Sequence, residues 1–260
     1  MKGGYTMKKF MFMIALGLMV TWASSSAQAH ILWLNASNYS PKPGETIWLE
    51  VGFGHHYPRD EVMKEGRLER VYALGLDGQE WAVEKIFPSF YKFTPTSEGT
   101  YRIIAVLKSG FVSKTTDGRK LGNKKDLSDV VSCFAYRITA KAVVRCSTRD
   151  QGLSEKAMNA LEIMPLNDST RLKTGDTLRL KLLFQGKPLA GATLKADCAD
   201  CSNDKGPSWA QEVISDANGI ATIQLSNQGD WMFTVSHKIP YTNPDLCDEF
   251  SYCTSLTLGL

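Results

Sequence analysis

Histidine is the residue type in this chain that is best suited to metal chemistry, and the chain has only four of them: His30, His55, His56 and His237. Neutral imidazole binds nickel, cobalt, copper and zinc well, whereas magnesium and calcium prefer oxygen ligands. A convergent set of these imidazoles would therefore be a site for a divalent transition metal ion. The alternative is that all of them are ordinary surface or interface histidines, and the residue types alone leave both interpretations open.

The segment before His30 has the three parts of a secretory signal peptide. Two lysines at positions 8 and 9 precede an apolar run over 10–22, and Ala27-Gln28-Ala29 is a small-x-small cleavage site. The apolar run is shorter than the roughly 20 residues that a spanning helix needs. Cleavage would make His30 the amino terminus, and its amine and imidazole can chelate one metal ion together. We therefore expect removal of residues 1–29, export to the periplasm and no insertion in the membrane.

The charge balance gives no reason to expect a polyanionic partner. The chain has 30 basic and 27 acidic residues, and the signal peptide carries three of the lysines, so the mature chain has 27 of each sign. A neutral mature protein has no electrostatic attraction to nucleic acid or to an anionic membrane. The basic stretch 114–125 is a local exception, interpreted as a solvated loop with a docking patch as the alternative.

The even number of cysteines predicts disulfides, because six cysteines in an exported chain meet an oxidising compartment. Proximity along the chain favours a bond between Cys133 and Cys146. The remaining four, Cys198, Cys201, Cys247 and Cys253, are then expected to pair among themselves. The Cys198-x-x-Cys201 spacing also occurs in redox and zinc sites, but its β-rich surroundings favour a structural disulfide.

Short runs with β composition, separated by turn residues, predict an all-β chain of two antiparallel, immunoglobulin-like β-sandwich domains at 30–150 and 151–260. A short helix after Ser154 is expected at the boundary. The predicted strands are 31–34, 46–51, 70–76, 80–87, 99–108, 130–144, 161–165, 176–184, 192–196, 220–225 and 231–237.

These strands are expected to position the histidines. His30 opens the first strand, His55 follows the second, and His237 ends the last clear strand, so the three could converge at one edge. Asp60 and Glu61 follow closely after His55, and a carboxylate there could accept a hydrogen bond from a ligating histidine and orient it. Exposed loop charges are the interpretation that the sequence favours for Asp60 and Glu61.

Motifs of the common enzyme classes are absent from the sequence. There is no Gly-x-Ser-x-Gly, no Walker-type loop, no dinucleotide fingerprint and no His-Glu-x-x-His. We therefore expect a binding protein with no enzymatic activity. Single tryptophans in the strands are interpreted as core residues rather than as a sugar-stacking platform: Trp33, Trp48, Trp81 and Trp231.

Three histidine-bearing segments, 29–34, 54–58 and 229–237, resemble the NikK/NikM-like family of periplasmic components of cobalt or nickel uptake systems. The resemblance extends in order over nearly all of the mature chain, although His56 and the cysteines are not part of the family's pattern. It implies that His30 supplies an amine and an imidazole, and that His55 and His237 supply one imidazole each. It also implies nickel or cobalt as the metal and an inner-membrane metal transporter as the partner.

Two other functions are compatible with the same residues. A copper protein or oxygenase of the histidine-brace kind also begins with a processed histidine, and copper or zinc suits imidazole as well as nickel does. A structural or adhesive β-sandwich module would bind no metal.

Overall fold

The computed structural model describes residues 30–75, 77–147, 159–168, 171–199, 201 and 209–260. These residues are built from β-strands, which confirms the predicted all-β class. Among them, no helix has the length and apolar character needed to cross a membrane. The predicted signal peptide and the short helix after Ser154 lie outside the described residues.

The strands are β1 (Ile31–Ala36), β2 (Ile47–Gly54), β3 (Leu68–Leu74), β4 (Glu80–Ala82), β5 (Glu84–Phe87), β6 (Phe90–Phe93), β7 (Gly99–Leu107), β8 (Gly110–Thr115), β9 (Gly118–Leu121), β10 (Val130–Cys146), β11 (Leu161–Pro165), β12 (Thr177–Phe184), β13 (Lys187–Pro188), β14 (Thr193–Cys198), β15 (Gln211–Ile214), β16 (Ile220–Gln224), β17 (Asp230–Pro240) and β18 (Glu249–Gly259).

The described strands form three sheets. The first sheet has the order β1-β2-β6-β5, and the third contains β11, β12, β13 and β16. The large sheet between them has the order β15-β14-β17-β18-β10-β7-β3-β4, with β8 and β9 attached beside β10. Pairing among the described strands is antiparallel, as predicted, except between β10 and β18. The large sheet contains strands from both sides of residue 150, so its strand order does not mark a domain boundary at that residue. The division into two domains stays a prediction.

The middle of the large sheet is buried on both faces. Along β17, Trp231, Phe233 and Val235 belong to the core shared with the third sheet, whereas Met232 belongs to the core shared with the first sheet. Successive side chains of a strand point to opposite faces, so one strand supplies both cores. The resulting three layers place the first sheet over one face of β17 and β18.

Strand β1 lies at the edge of the first sheet and is held against β18 by hydroxyl groups. Ser255 Oγ donates to the carbonyl oxygen of Leu32 at 2.6 Å, and Thr257 Oγ1 donates to that of Leu34. Buried hydroxyls and carbonyls need such partners because their desolvation is costly. These contacts fix β1 against the large sheet, and with it the position of His30 at its start.

The disulfide pairing differs from the expected one. Cys133 is bonded to Cys247, and Cys146 is a free, buried thiol. The expected Cys133–Cys146 bond is wrong because both residues lie on β10, where 13 residues of extended chain separate them by about 40 Å. The bond between Cys198 and Cys201 confirms the structural interpretation of that spacing, and Cys253 is the other free thiol among the described cysteines.

Candidate metal centre

The pairing of β1 with β2 places His30 opposite His55. Ile31 pairs with Gly54 in this antiparallel ladder, so the next position beyond the ladder brings the two histidines face to face. Their ring centroids are 4.3 Å apart, and the planes are tilted by 43°. With metal–nitrogen bonds of about 2.0–2.1 Å, two imidazoles at this separation can reach one ion.

Asp60 closes the loop that follows β2. Its Oδ2 accepts hydrogen bonds from the backbone N–H of His55 at 2.6 Å and of His56 at 3.1 Å, and it lies 3.2 Å from His56 Nδ1. These donors, His55 N–H first, hold the pKa of Asp60 below its usual value. Gly54 makes this closure possible: it has a φ of +145°, and a Cβ there would lie 2.4 Å from Asp60 Oδ2.

Two side chains of β1 anchor the same loop from the other side. Trp33 Nε1 and Asn35 Nδ2 donate to the carbonyl oxygen of Pro58 at 3.0 and 3.2 Å. The indole of Trp33 lies against Gly52, where a Cβ would be only 2.1 Å from the ring. The loop is thus tied to the strand that carries His30, which keeps His55 in register with it.

The ring of His30 is held by a carboxylate and an aromatic face. Its Nε2 lies 2.9 Å from Glu61 Oε1, and the ring stacks on Phe53 with centroids 4.9 Å apart and an interplanar angle of 11°. Glu61 reaches this position because its backbone N–H donates to the carbonyl of Phe53 at 3.0 Å. If Nε2 carries the proton that it shares with Glu61, Nδ1 keeps its lone pair. Metal-ligating histidines commonly have this second hydrogen bond to a carboxylate.

The Nδ1 nitrogen of His55 is buried and makes no hydrogen bond to any of the described residues. Burial, followed by the charge of His30, lowers the pKa of His55, which favours the neutral imidazole that metals bind. Leaving such a buried polar atom unsatisfied costs about 1–3 kcal/mol, so binding of a metal ion at this nitrogen would offset the cost.

His237 does not join His30 and His55. On β17 it alternates with Ser236, and it shares the face of Val235, which packs towards the third sheet rather than towards β1. Its ring contacts Phe184 at a centroid distance of 4.6 Å, and burial lowers its pKa. The three histidines therefore do not converge at one edge as expected. The sequence predicted that His237 ends a strand, but it did not specify the face of the sheet on which this side chain lies.

Among the described residues, no three His, Cys, Asp or Glu side chains are arranged to hold a metal ion. His56 is adjacent to the paired histidines, but its ring is mostly exposed and interacts with Asp60. A metal ion at the His30–His55 pair would therefore need a further ligand other than a side chain of the described residues. The amine that cleavage after Ala29 would create on His30 is such a ligand.

A protein-family model described as "Domain of unknown function (DUF4198)" matches residues 27–239. The chain belongs to this family. The DUF4198 match spans all four histidines, but its description names no metal and no transport role. The resemblance to the NikK/NikM-like family therefore stays a prediction. No curated protein matches the chain.

Several solved β-sandwich structures are distantly similar. A two-domain fibronectin type III segment of chicken tenascin is 10% identical, with 85% of this chain and 95% of that chain covered and a TM-score of 0.24. Fibronectin(III)-like modules of Clostridium thermocellum CbhA are 10% identical (86% and 94% covered, TM-score 0.19), and murine CEACAM1b is 11% identical (89% and 98% covered, TM-score 0.22). Similarity at this level carries no argument about function.

Proposed function

We propose that the mature chain is an exported, non-enzymatic protein that binds one divalent transition metal ion. The amine and Nδ1 of His30 and the imidazole of His55 would be the ligands. The observation that carries the proposal is the opposed pair of imidazoles, with ring centroids 4.3 Å apart. Glu61 contacts His30 Nε2, and His55 Nδ1 has no hydrogen-bond partner in the part of the chain that the structure describes.

The proposed cargo is nickel or cobalt, and delivery to an inner-membrane metal transporter is the role that the family resemblance suggests. A set of three nitrogen ligands suits nickel, cobalt and copper, and the intrinsic affinity order places copper highest. Copper binding of the histidine-brace kind is therefore the second candidate. It is favoured by the same pairing of a processed histidine with one further imidazole.

In the proposed site, removal of residues 1–29 controls when the metal can bind. Before cleavage, the nitrogen of His30 is part of a peptide bond, whose resonance leaves it without a basic lone pair. The precursor would therefore carry only the imidazoles, and the chelating pair on His30 would form after export.

Calorimetric titration of chain 30–260 with nickel, cobalt, copper and magnesium tests the proposal. We expect one ion per chain for nickel and cobalt and none for magnesium, because the ligands are all nitrogen. Binding of copper alone would favour the second candidate. Absence of one-to-one binding for every transition metal would contradict both.

A further inference from the structure

The outer face of the first sheet exposes three aromatic side chains. Trp48, Phe87 and Phe90 have relative exposures of 52%, 64% and 41%. The sequence-based interpretation of Trp48 as a core residue is therefore wrong, whereas Trp33 and Trp231 are buried as predicted. Large aromatic groups left in water next to one another are a common mark of a binding surface.

The three rings lie on neighbouring strands and on one face. Glu50, which shares the outer face of β2 with Trp48, pairs with Phe90 on β6, and Phe90 pairs with Phe87 on β5. Adjacent strands are about 4.8 Å apart, so the rings spread over roughly 10 Å across three strands. The buried residues Leu49 and Tyr91 alternate with them and hold this face against the core.

The aromatic strip formed by Trp48, Phe90 and Phe87 borders a cleft of about 400 Å³. Trp48 and Phe90 line it together with the polar side chains of Asn35, Glu50 and Arg59. Asn35 donates through Nδ2 to the carbonyl of Pro58, and its Oδ1 has no hydrogen-bond partner among the described residues. Aromatic surface combined with a few placed polar groups is the usual composition of a small-molecule or oligomer site.

The chemistry of the lining indicates the class of ligand. The carboxylates of Glu50 and Asp230 outnumber the guanidinium of Arg59, which disfavours anionic polymers such as nucleic acid. Trp48 and Phe90 lie on β2 and β6, the two inner strands of the first sheet, whose backbone groups are already paired and do not offer the edge hydrogen bonds that a peptide strand would use. A saccharide instead presents C–H faces that pack on aromatic rings and hydroxyls that need donors and acceptors.

We propose that this cleft binds a neutral saccharide chain, with Trp48 and Phe90 as the stacking surface and Asn35, Glu50 and Arg59 as hydrogen-bonding groups. The cleft adjoins the loop that follows His55, but His30 and His55 themselves are not among its lining residues. Binding is therefore expected without any metal.

Affinity electrophoresis of chain 30–260, in the presence of a chelator, tests the proposal. The gels contain hydroxyethyl cellulose, xylan, galactomannan or, as an anionic control, dextran sulfate. Trp48→Ala removes the larger of the two exposed rings that line the cleft, and Ile214→Ala is the matched control because Ile214 is 71% exposed on β15 and is not among the cleft's lining residues. Circular dichroism and thermal unfolding of each variant report whether it is folded.

We expect at least one neutral polysaccharide to retard the wild type. Trp48→Ala should weaken that binding at least about tenfold, a loss of about 1.4 kcal/mol, and Ile214→Ala should not change it. Retardation by none of the neutral polymers would overturn the proposal. So would retardation by dextran sulfate alone, or a Trp48→Ala variant that is folded and binds as the wild type does.

Discussion

His30 and His55 lie directly opposite each other at the end of the β1–β2 ladder, with their ring centroids 4.3 Å apart. Different contacts position the two histidines. His30 is held by Glu61 and the face of Phe53, whereas His55 is held through its backbone by Asp60. The surrounding strands and loop thus organise the pair, which would reduce the ordering cost of the proposed metal binding.

Replacing His55 and replacing the distant His237 should have different effects on metal affinity. His55→Ala removes one of three proposed ligands, so we expect transition-metal affinity to fall at least about tenfold. His237→Ala should leave the affinity unchanged, because His237 packs against Phe184 on the other face of the large sheet. Calorimetric titration measures both. An equal loss in the two variants would show that His237 is a ligand.

Glu61 is expected to act on the metal by positioning His30. Glu61→Ala removes the acceptor for His30 Nε2, and loss of such a partner costs about 10–100-fold in metal affinity. Glu61→Gln keeps an amide oxygen that can accept the same hydrogen bond, so it should recover part of the affinity. Titrations and the ligand-field spectrum of the bound ion provide the readouts. Identical affinities in wild type and Glu61→Ala would exclude this role.

Gly54 should be more sensitive to substitution than Gly44, a positive-φ glycine that lies in open space. In Gly54→Ala the new Cβ would lie 2.4 Å from Asp60 Oδ2, whereas in Gly44→Ala, with a φ of +83°, it would meet nothing within 4 Å. Both variants carry backbone strain, but only the first adds overpacking of about 1–3 kcal/mol. Urea unfolding should therefore show a larger loss of stability for Gly54→Ala. Equal losses would contradict the described contact between Gly54 and Asp60.

The free thiols should be unreactive in the folded protein. Cys146 and Cys253 are 1% and 4% exposed, and burial raises the pKa of both. Because the thiolate is the reactive form, a thiol reagent such as DTNB should label neither in native protein and both in denaturant. Peptide mapping under non-reducing conditions should recover Cys133 linked to Cys247. Rapid native labelling would contradict the buried placement.

The pairing of His30 with His55 could be predicted in part from the sequence, because each residue flanks a strand with clear β composition. The sequence favoured exposed loop charges for Asp60 and Glu61 over contact with a histidine, whereas the structure places Glu61 Oε1 2.9 Å from His30 Nε2. The face on which His237 lies could not be predicted. A shift of one residue along a strand reverses the face, and the sequence alone did not fix this register.

Strand β18 was missed for a physical reason. Several of its buried residues carry hydroxyl groups rather than apolar side chains, and two of them, Ser255 and Thr257, donate to carbonyls of β1. Hydrophobic alternation therefore gave no signal there. Cys247 lies just before this missed strand, so the position of β18 determines where Cys247 lies. The bond between Cys133 and Cys247 could therefore not be predicted from the spacing of cysteines along the chain.

The most direct test of the metal proposal compares chain 30–260, which has a free amine on His30, with the same chain carrying Ala29 in front of it. Both proteins keep every imidazole, so only the amine differs. We predict that the added residue lowers nickel and cobalt affinity in calorimetric titration at least about tenfold, equivalent to about 1.4 kcal/mol. Equal affinity in the two proteins would contradict the account, because it would remove the amine of His30 from the site.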